Sequence, residues 1–498
     1  MSLRKMNGNL LGIDLGTTGC RVSIYSSEGK LLGEEYIEYE FITKKGGIVE
    51  QNANEWWNLT KETINLGLRK AGINGNKVKA LSISSQGISF VPIDRKGNPL
   101  CNVISWLDKR ADKETKDVLR EFSPEYIFQV TGKRIDAGYT LPKILWLRNN
   151  KPDIFARTYK FLMGQDYLLF KLTNQFFTDH TMAAGTLMYD VKKLGWSKEI
   201  IERFNIPEEK LPKIKWAGTP VGNISSQASR ETGLSKNTLA IVGGQDQKCA
   251  ALGVGLKQGV ATVSLGTASA ITAITNNPVI DKKMRIPCFP YLLPDKWVLE
   301  GVVSTAGGSF RWIKNILNSK MDEKTYKELI QLAQLSPPGA NNLFFFPHLS
   351  GASSPHWKDN NKGIFYGLTL STSKNNIVRS VLEGVAYEIK INLGILEELV
   401  GKIEEIKIFG GGAKSKLWSE IIANITNKNV SLFQIGEMAT IGACLLAGVG
   451  SGIYQDFDKA RKFLTSSHIT VKPDPDQVKI YGKLYKEYIN IEKKLMQI

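Results

Sequence analysis

Apolar positions in the first forty residues fall into short runs separated by polar turns. Residues 10–14 form an apolar run ending in Asp14, residues 21–25 alternate apolar and polar, and residues 30–39 extend after the Ser-Glu-Gly turn at 27–29. Runs this short, broken by glycine and polar residues, predict a β-meander. A 3.6-residue period then predicts a helix over 54–70, capped by Asn52 or Asn54, followed by a strand over 78–84. Strands alternating with amphipathic helices place the chain in the α/β class.

The second half opens in the same way. Residues 259–275 read as strand, turn and strand, with Ser264-Leu265-Gly266-Thr267-Ala268 at the turn where the first half has Asp14-Leu15-Gly16-Thr17-Thr18. Gly266 follows Gly16 by 250 positions in a chain of 498. Two similar hairpin loops half a chain apart predict two related lobes facing one another, with a ligand between them. The expected division is 1–252 and 253–498, with 173–223 an insertion on the first lobe that carries short helical pieces such as 197–204. Further helices are expected over 374–399 and 415–425. The charged, amphipathic stretch 478–496 predicts a surface helix. Residues 438–454 are apolar and rich in small residues but fall short of the ~20 needed to span a bilayer, which predicts a buried helix.

Composition narrows the class. With 42% apolar and 23% charged residues the chain is neither disordered nor a disulfide-stapled miniprotein. The formal charge of +17 is spread thinly, with no three basic residues in succession, so it predicts a lysine-rich solvated surface and no nucleic-acid partner. Five cysteines, odd in number and never in a C-x-x-C pair, fit a reducing cytoplasm. No apolar stretch precedes the first strand, and no membrane association is expected. The four histidines, His180, His348, His356 and His468, are scattered without metal-ligand spacing, which disfavours zinc hydrolysis and Ser-His-Asp chemistry.

Four segments carry candidate chemistry. In Asp14-Leu15-Gly16-Thr17-Thr18-Gly19-Cys20-Arg21, small residues after a strand let backbone N–H groups approach an anion, and the threonine hydroxyls add donors. Asp14 can hold Mg²⁺ or its waters, while the alternative is a plain hairpin with an Asx-type turn. Phe409-Gly410-Gly411-Gly412-Ala413-Lys414-Ser415 is a glycine-rich strand-to-helix turn suited to a nucleotide, or an ordinary turn; it matches neither the Walker A nor the dinucleotide fingerprint. Gly243-Gly244-Gln245-Asp246-Gln247 puts a carboxylate at a strand end, where it can accept a hydroxyl proton in phosphoryl transfer or cap the following helix. Trp106-Leu107-Asp108-Lys109-Arg110, with Gln86 nearby, offers an indole for the CH face of a polyol and polar groups for its hydroxyls. A core tryptophan beside a surface ion pair is the alternative there.

In this order the segments resemble the FGGY carbohydrate kinases, the group that contains xylulokinase, glycerol kinase, gluconokinase and fuculokinase. The resemblance spans about 11–457 and adds Ala306-Gly307-Gly308-Ser309, 363–368 and Glu383-Gly384. It implies a two-domain actin-like ATPase fold of ribonuclease-H-like lobes, with ATP and sugar in the cleft. By the same resemblance Asp246 is the base, and Asp14 the Mg²⁺-associated carboxylate. Thr17, Thr18, Arg21, Gly266, Thr267, Gly307, Gly411, Gly412 and Lys416 lie on the ATP side. Gln86, Trp106, Asp108, Arg110, Asp246 and Gln247 face the sugar. Glycerol kinases carry Arg-Glu after the glutamine matching Gln86, where this chain has Gly87-Ile88, so glycerol is disfavoured. D-Xylulokinases carry Met-His there, a pair this chain also lacks; among ketoses, deoxyketoses and gluconate-like acids the resemblance still puts D-xylulose first, with gluconate, L-fuculose and L-xylulose as alternatives. An actin-like ATPase with no sugar acceptor is the rival of a different class, and a homodimer is the candidate assembly.

Overall fold

Three strands of alternating or continuous apolar residues open the first lobe. A computed structural model describes residues 8–317, 323–433, 438–464 and 468–496. Asn9–Leu15, Gly19–Tyr25 and Leu31–Glu38 form the antiparallel meander. Val78–Ser85 and then Leu239–Gln245 continue the sheet in parallel on the other side of Asn9–Leu15, and Pro220–Asn223 closes the edge. The first strand is buried on both faces because helices cover both. Leu11, Ile13 and Leu15 pack with Trp56, Ile64 and Leu68 of the helix Ala53–Ala71, while Leu10 packs with Cys444 and Leu445 of the helix Met438–Gly450. The Asn52 side chain caps Ala53–Ala71 by accepting from the Asn54 N–H at 2.9 Å.

The second sheet repeats this plan. Val260–Ser264, Ser269–Thr275 and Trp297–Val303 form a meander, and Glu405–Phe409 and Asn429–Leu432 add in parallel beside the first of them. Setting aside the edge strands Pro220–Asn223, Cys288–Pro290 and Ile469–Val471, the five core strands of each sheet run in the same order, third, second, first, fourth, fifth. The loops at Gly16-Thr17 and Gly266-Thr267 are therefore the same hairpin in two copies. Each fifth strand leads towards a helix, Asp246–Gly253 in the first lobe and Met438–Gly450 in the second, and the two helices cross at the lobe junction. A Cβ on Gly442 would stand 2.0 Å from the Cys249 carbonyl oxygen, so only glycine fits this crossing.

The helix Pro475–Leu495 is amphipathic at the surface as expected, with Tyr481, Tyr488, Ile491 and Glu492 buried against the second lobe and most of its other residues facing outward. Within 173–223 the first part is tied to the centre of the first lobe, where the Thr181 hydroxyl accepts from the Gln245 N–H at 2.9 Å. All five cysteines are free, and among the described residues no helix is long and apolar enough to cross a membrane.

Candidate active site

Asp14, Gln86 and Asp246 follow or end three neighbouring parallel strands at their carboxyl ends, the edge of an α/β sheet where ligands usually bind. The Gly16 N–H donates to the Gly19 carbonyl at 2.9 Å, closing the hairpin. Asp14 sits in register between Arg21 and Ser84, and the Ser84 hydroxyl donates to its Oδ1 at 2.7 Å. The Thr17 carbonyl accepts from Gln51 Nε2 at 2.9 Å and its hydroxyl from Trp106 Nε1 at 3.2 Å, while Thr18 is exposed with its hydroxyl 3.2 Å from Tyr36. The Arg21 guanidinium lies 4.7 Å from the centre of the Tyr36 ring and 3.5 Å from Glu34.

Gln86 is buried and acts as a strut. Its Nε2 donates to Gln51 Oε1 at 3.1 Å, its Oε1 accepts from the Ser89 hydroxyl at 3.1 Å, and that hydroxyl accepts from the Trp106 N–H at 2.9 Å. Trp106 itself is 38% exposed, so it is not a core tryptophan. Asp108 and Arg110 are held differently from the surface pair that spacing suggested. Asp108 is fully buried; its carboxylate accepts from Arg110 Nε at 2.9 Å and from the Val49 N–H at 2.7 Å. Arg110 also reaches Glu50 at 2.7 Å and lies 4.8 Å from the centre of the Trp146 ring. The pair thus ties the Trp106 loop to the strand Ile48–Gln51. Beneath the same loop, Lys143 donates to the Ser105 carbonyl at 2.7 Å, and burial pulls its ammonium down to about 7. Beside Gln86, Ile88 adopts φ of +71°, a left-handed conformation costly for a β-branched residue, and its carbonyl accepts from the Thr140 hydroxyl at 3.0 Å.

Asp246 does not cap its helix. Gln245 is the N-cap, its side chain accepting from the Lys248 N–H at 3.4 Å, which leaves Asp246 as the first helical residue. Its Oδ1 accepts from the Gln247 N–H at 2.7 Å and from the Gln245 amide. The helix N-terminus favours the ionised carboxylate there. The paired glycines have a packing explanation: a Cβ on Gly243 would meet the Ile83 carbonyl at 1.8 Å and one on Gly244 would meet Leu292 at 2.2 Å. Gln247 Oε1 is buried without a hydrogen-bond partner among the described residues. Lys248 joins the lobes through an ion pair to Glu300 at 2.9 Å. Nearby Asp179 is fully buried, and burial raises its carboxyl to about 6 against the hydrogen bonds from Thr181 and Met182.

The second lobe brings three glycine loops together. The Gly266 carbonyl accepts from the Gly307 N–H and the Thr267 carbonyl from the Gly308 N–H, both at 2.9 Å, and the Leu265 carbonyl accepts from the Gly412 N–H at 2.9 Å. Gly412 is pressed onto Leu265, where a Cβ would stand at 2.6 Å, whereas a Cβ on Gly411 would meet open space. Lys416 points away along its own helix, pairing with Glu420 at 3.5 Å with its side chain 76% exposed. Sequence reasoning missed Gln51, Ser84, Ser89, Glu50 and Lys143. Each is a common residue type in an ordinary strand, helix or, for Ser89, loop, and only the tertiary contact gives it a place in the site.

Paired six- and seven-stranded sheets with the same core strand order, and with the candidate loops at their carboxyl ends, define a two-domain α/β protein of the actin-like ATPase fold. Residues 9–253 match the N-terminal domain, and 261–451 the C-terminal domain, of the FGGY family of carbohydrate kinases, and the chain belongs to that family. It is 29% identical to a xylulose kinase of Staphylococcus xylosus over 97% of this chain and 99% of that one. It is 30% identical to a gluconokinase of Bacillus subtilis over 98% of this chain and 96% of that one. The solved structures of a gluconate kinase and of a ligand-bound xylulose kinase, both from Lactobacillus acidophilus, each superpose with a TM-score of 0.91 at 28% identity, covering 98% of both chains.

Proposed function

We propose that this carbohydrate kinase transfers the γ-phosphoryl group of ATP to a hydroxyl of a small open-chain sugar, with D-xylulose as the first substrate and D-gluconate as the second. The observation that carries the reading is Asp246, a carboxylate on a helix N-terminus, not spent on the cap, at the strand ends that also bear Asp14 and Gln86. Asp246 accepts the proton of the acceptor hydroxyl, whose oxygen attacks the γ-phosphorus in line. Trp106 takes the CH face of the sugar, and Gln247, with its unpartnered Oε1, receives one of its hydroxyls. Asp108 and Arg110 serve by positioning Trp106. The N–H groups and hydroxyls of Thr17, Thr18 and Thr267, with Gly266, Gly307, Gly411 and Gly412, line the phosphate and nucleotide side. Bound magnesium would neutralise charge on the transferring group. Asp14, fixed by Ser84 as a single hard-oxygen donor, suits an ion that keeps several waters. Arg21 and Lys416 act at the margin, since Glu34 and Glu420 already engage them.

The reading includes a sugar-side domain, 1–252, a nucleotide-side domain, 253–498, a cytoplasmic setting, no nucleic-acid partner, and a homodimer as the assembly for light scattering to test. Xylulose and gluconate are both kept because relatives of both names match equally well. The experiment is an ADP-release assay over D-xylulose, L-xylulose, L-fuculose, D-gluconate and glycerol. We expect sugar-dependent turnover on one ketose or on gluconate, and little on glycerol. In Asp246→Asn, kcat should fall about 10²–10⁴-fold with little change in sugar KM. Near-normal turnover in that variant, or ATP hydrolysis indifferent to every sugar, would refute the assignment.

A further inference from the structure

In the second lobe, among residues not assigned to phosphoryl transfer, lies a group of buried titratable side chains. His348 and His356 lie in the segment after the strand Phe344–Phe346, Glu388 lies on the helix Lys374–Val400, and Glu492 lies in the last turns of Pro475–Leu495. His348 Nε2 is 3.8 Å from Glu388 Oε1, and His356 Nε2 is 3.0 Å from Glu492 Oε1. One ligand atom from each of His348, Glu388 and Glu492 falls within 4.8 Å of the others, and all three residues are buried. His348 is only 6% exposed, and its Nε2 has no hydrogen-bond partner among the described residues. The Tyr488 hydroxyl donates to Glu388 at 2.8 Å and its ring stacks on Phe346, forming one wall of the group.

The same helix shows how this fold treats an ordinary buried carboxylate. Glu383 accepts from Arg379 and from the Tyr481 hydroxyl, each at 2.7 Å, and from the Gly339 N–H at 3.0 Å. Glu388 and Glu492 have no arginine or lysine ion pair among the described residues; the basic groups beside them are imidazoles. Two like-charged carboxylates buried together without a counter-charge are costly. An imidazole nitrogen with a free lone pair facing two carboxylates is the donor set of a first-row divalent cation of the zinc class.

We propose that His348, Glu388 and Glu492 form a structural zinc-class site that fastens the C-terminal helix to the nucleotide-side lobe, with His356 hydrogen-bonded to Glu492 at 3.0 Å and orienting it. Bonds of about 2.0–2.2 Å set tetrahedral ligand atoms roughly 3.3–3.6 Å apart, so the group closes by about an ångström, within reach of rotamer adjustment. The site lies outside the spacing rules that find zinc motifs, because its ligands come from three elements spread over more than a hundred residues.

The test uses the full chain, stripped with chelator and dialysed against Zn²⁺ alone, with bound metal measured after desalting and thermal unfolding recorded with and without the ion. We expect one zinc per chain, a raised Tm on adding zinc, and no replacement by millimolar Mg²⁺. We expect loss of the retained zinc in His348→Gln and in Glu492→Gln. The second variant can still hydrogen-bond Glu388, so it remains folded and readable if the first is not. Wild-type chain that retains no zinc, or Glu492→Gln that retains as much as wild type, would overturn the site. So would a zinc-indifferent wild type whose Tm is exceeded by that of Glu492→Gln at alkaline pH, the behaviour of a shared-proton carboxyl pair.

Discussion

Arg110 lies under the rim of the Trp106 loop with its guanidinium divided between Asp108 and Glu50 and only 7% of its side chain exposed. Removing it leaves two carboxylates without their cation in a dry setting, so Arg110→Ala should cost about 3–5 kcal/mol of stability. Denaturant unfolding measures this. A variant with unchanged midpoint and a raised sugar KM would mean that Arg110 reads the sugar directly. Asp179 gives the pH dependence at this scale. Its carboxyl is raised to about 6 in the folded chain, above its ordinary 3.8, so its contribution to stability is full below about pH 4 and lost as pH rises through about 6. Asp179→Asn keeps one acceptor oxygen and puts an amide nitrogen in place of the other, so it loses one of the two caps on the Thr181 and Met182 N–H groups and with it some baseline stability, but it removes the titration. The fall in stability between about pH 5 and about pH 8 should be smaller in that variant than in wild type. Equal slopes in the two would contradict this reading. Residue types alone placed the strand-end carboxylates, while Trp106 stood in sequence equally as a core tryptophan and only the structure shows its indole exposed. Residue types did not reveal that Asp108 faces inward, because an aspartate two residues from an arginine looks the same in sequence whether it meets a sugar or a neighbour.

The glycine loop at 410–412 separates folding from binding within a single turn. Gly412 abuts Leu265 and Trp418, and Gly411 abuts nothing. Gly412→Ala should therefore lower stability by about 1–3 kcal/mol through overpacking. Gly411→Ala should leave stability unchanged and, on the proposed nucleotide side, raise the KM for ATP, because its methyl group enters open space there. Calorimetry together with initial-rate kinetics separates the two. An unchanged ATP KM in Gly411→Ala would remove this loop from the nucleotide site. Elements were legible where burial was uniform or strictly periodic. Met438–Gly450 is apolar on every side and is buried on every side, and the opening meander falls within a residue or two of the expected strands. Pro475–Leu495 is the amphipathic surface helix its charge pattern predicts, but the residues of its inner face, two tyrosines beside Ile491 and Glu492, were not legible as a packing face. Tyr481 and Tyr488 satisfy their hydroxyls on Glu383 and Glu388, so a face that looks polar in sequence goes inside.

At the scale of the whole molecule, duplication sets both the site and its motion. The two hairpin loops are equivalent positions in two copies of one sheet, which is why a match of a few residues half a chain apart carried information about the cleft. The copies meet through the helices that follow their fifth strands, and Asp246 is the first residue of one of them. A rotation of one lobe on the other must pass through this crossing, where Gly442 lies against the Cys249 carbonyl, and it carries Asp246 relative to Gly266 and Thr267. Closure is what would exclude water as a competing acceptor. Gly442→Ala puts a methyl group where 2.0 Å is available, so the helices must part and the angle between the lobes must change. Because Gln86, Trp106 and Gln247 belong to one lobe, sugar binding to the open form should change little. Solution X-ray scattering of wild type should show contraction on adding sugar with ADP. Gly442→Ala should contract less and lose about tenfold in kcat, about 1.4 kcal/mol of transition-state stabilisation. Full contraction with wild-type kcat in that variant would place the pivot elsewhere than at this helix crossing.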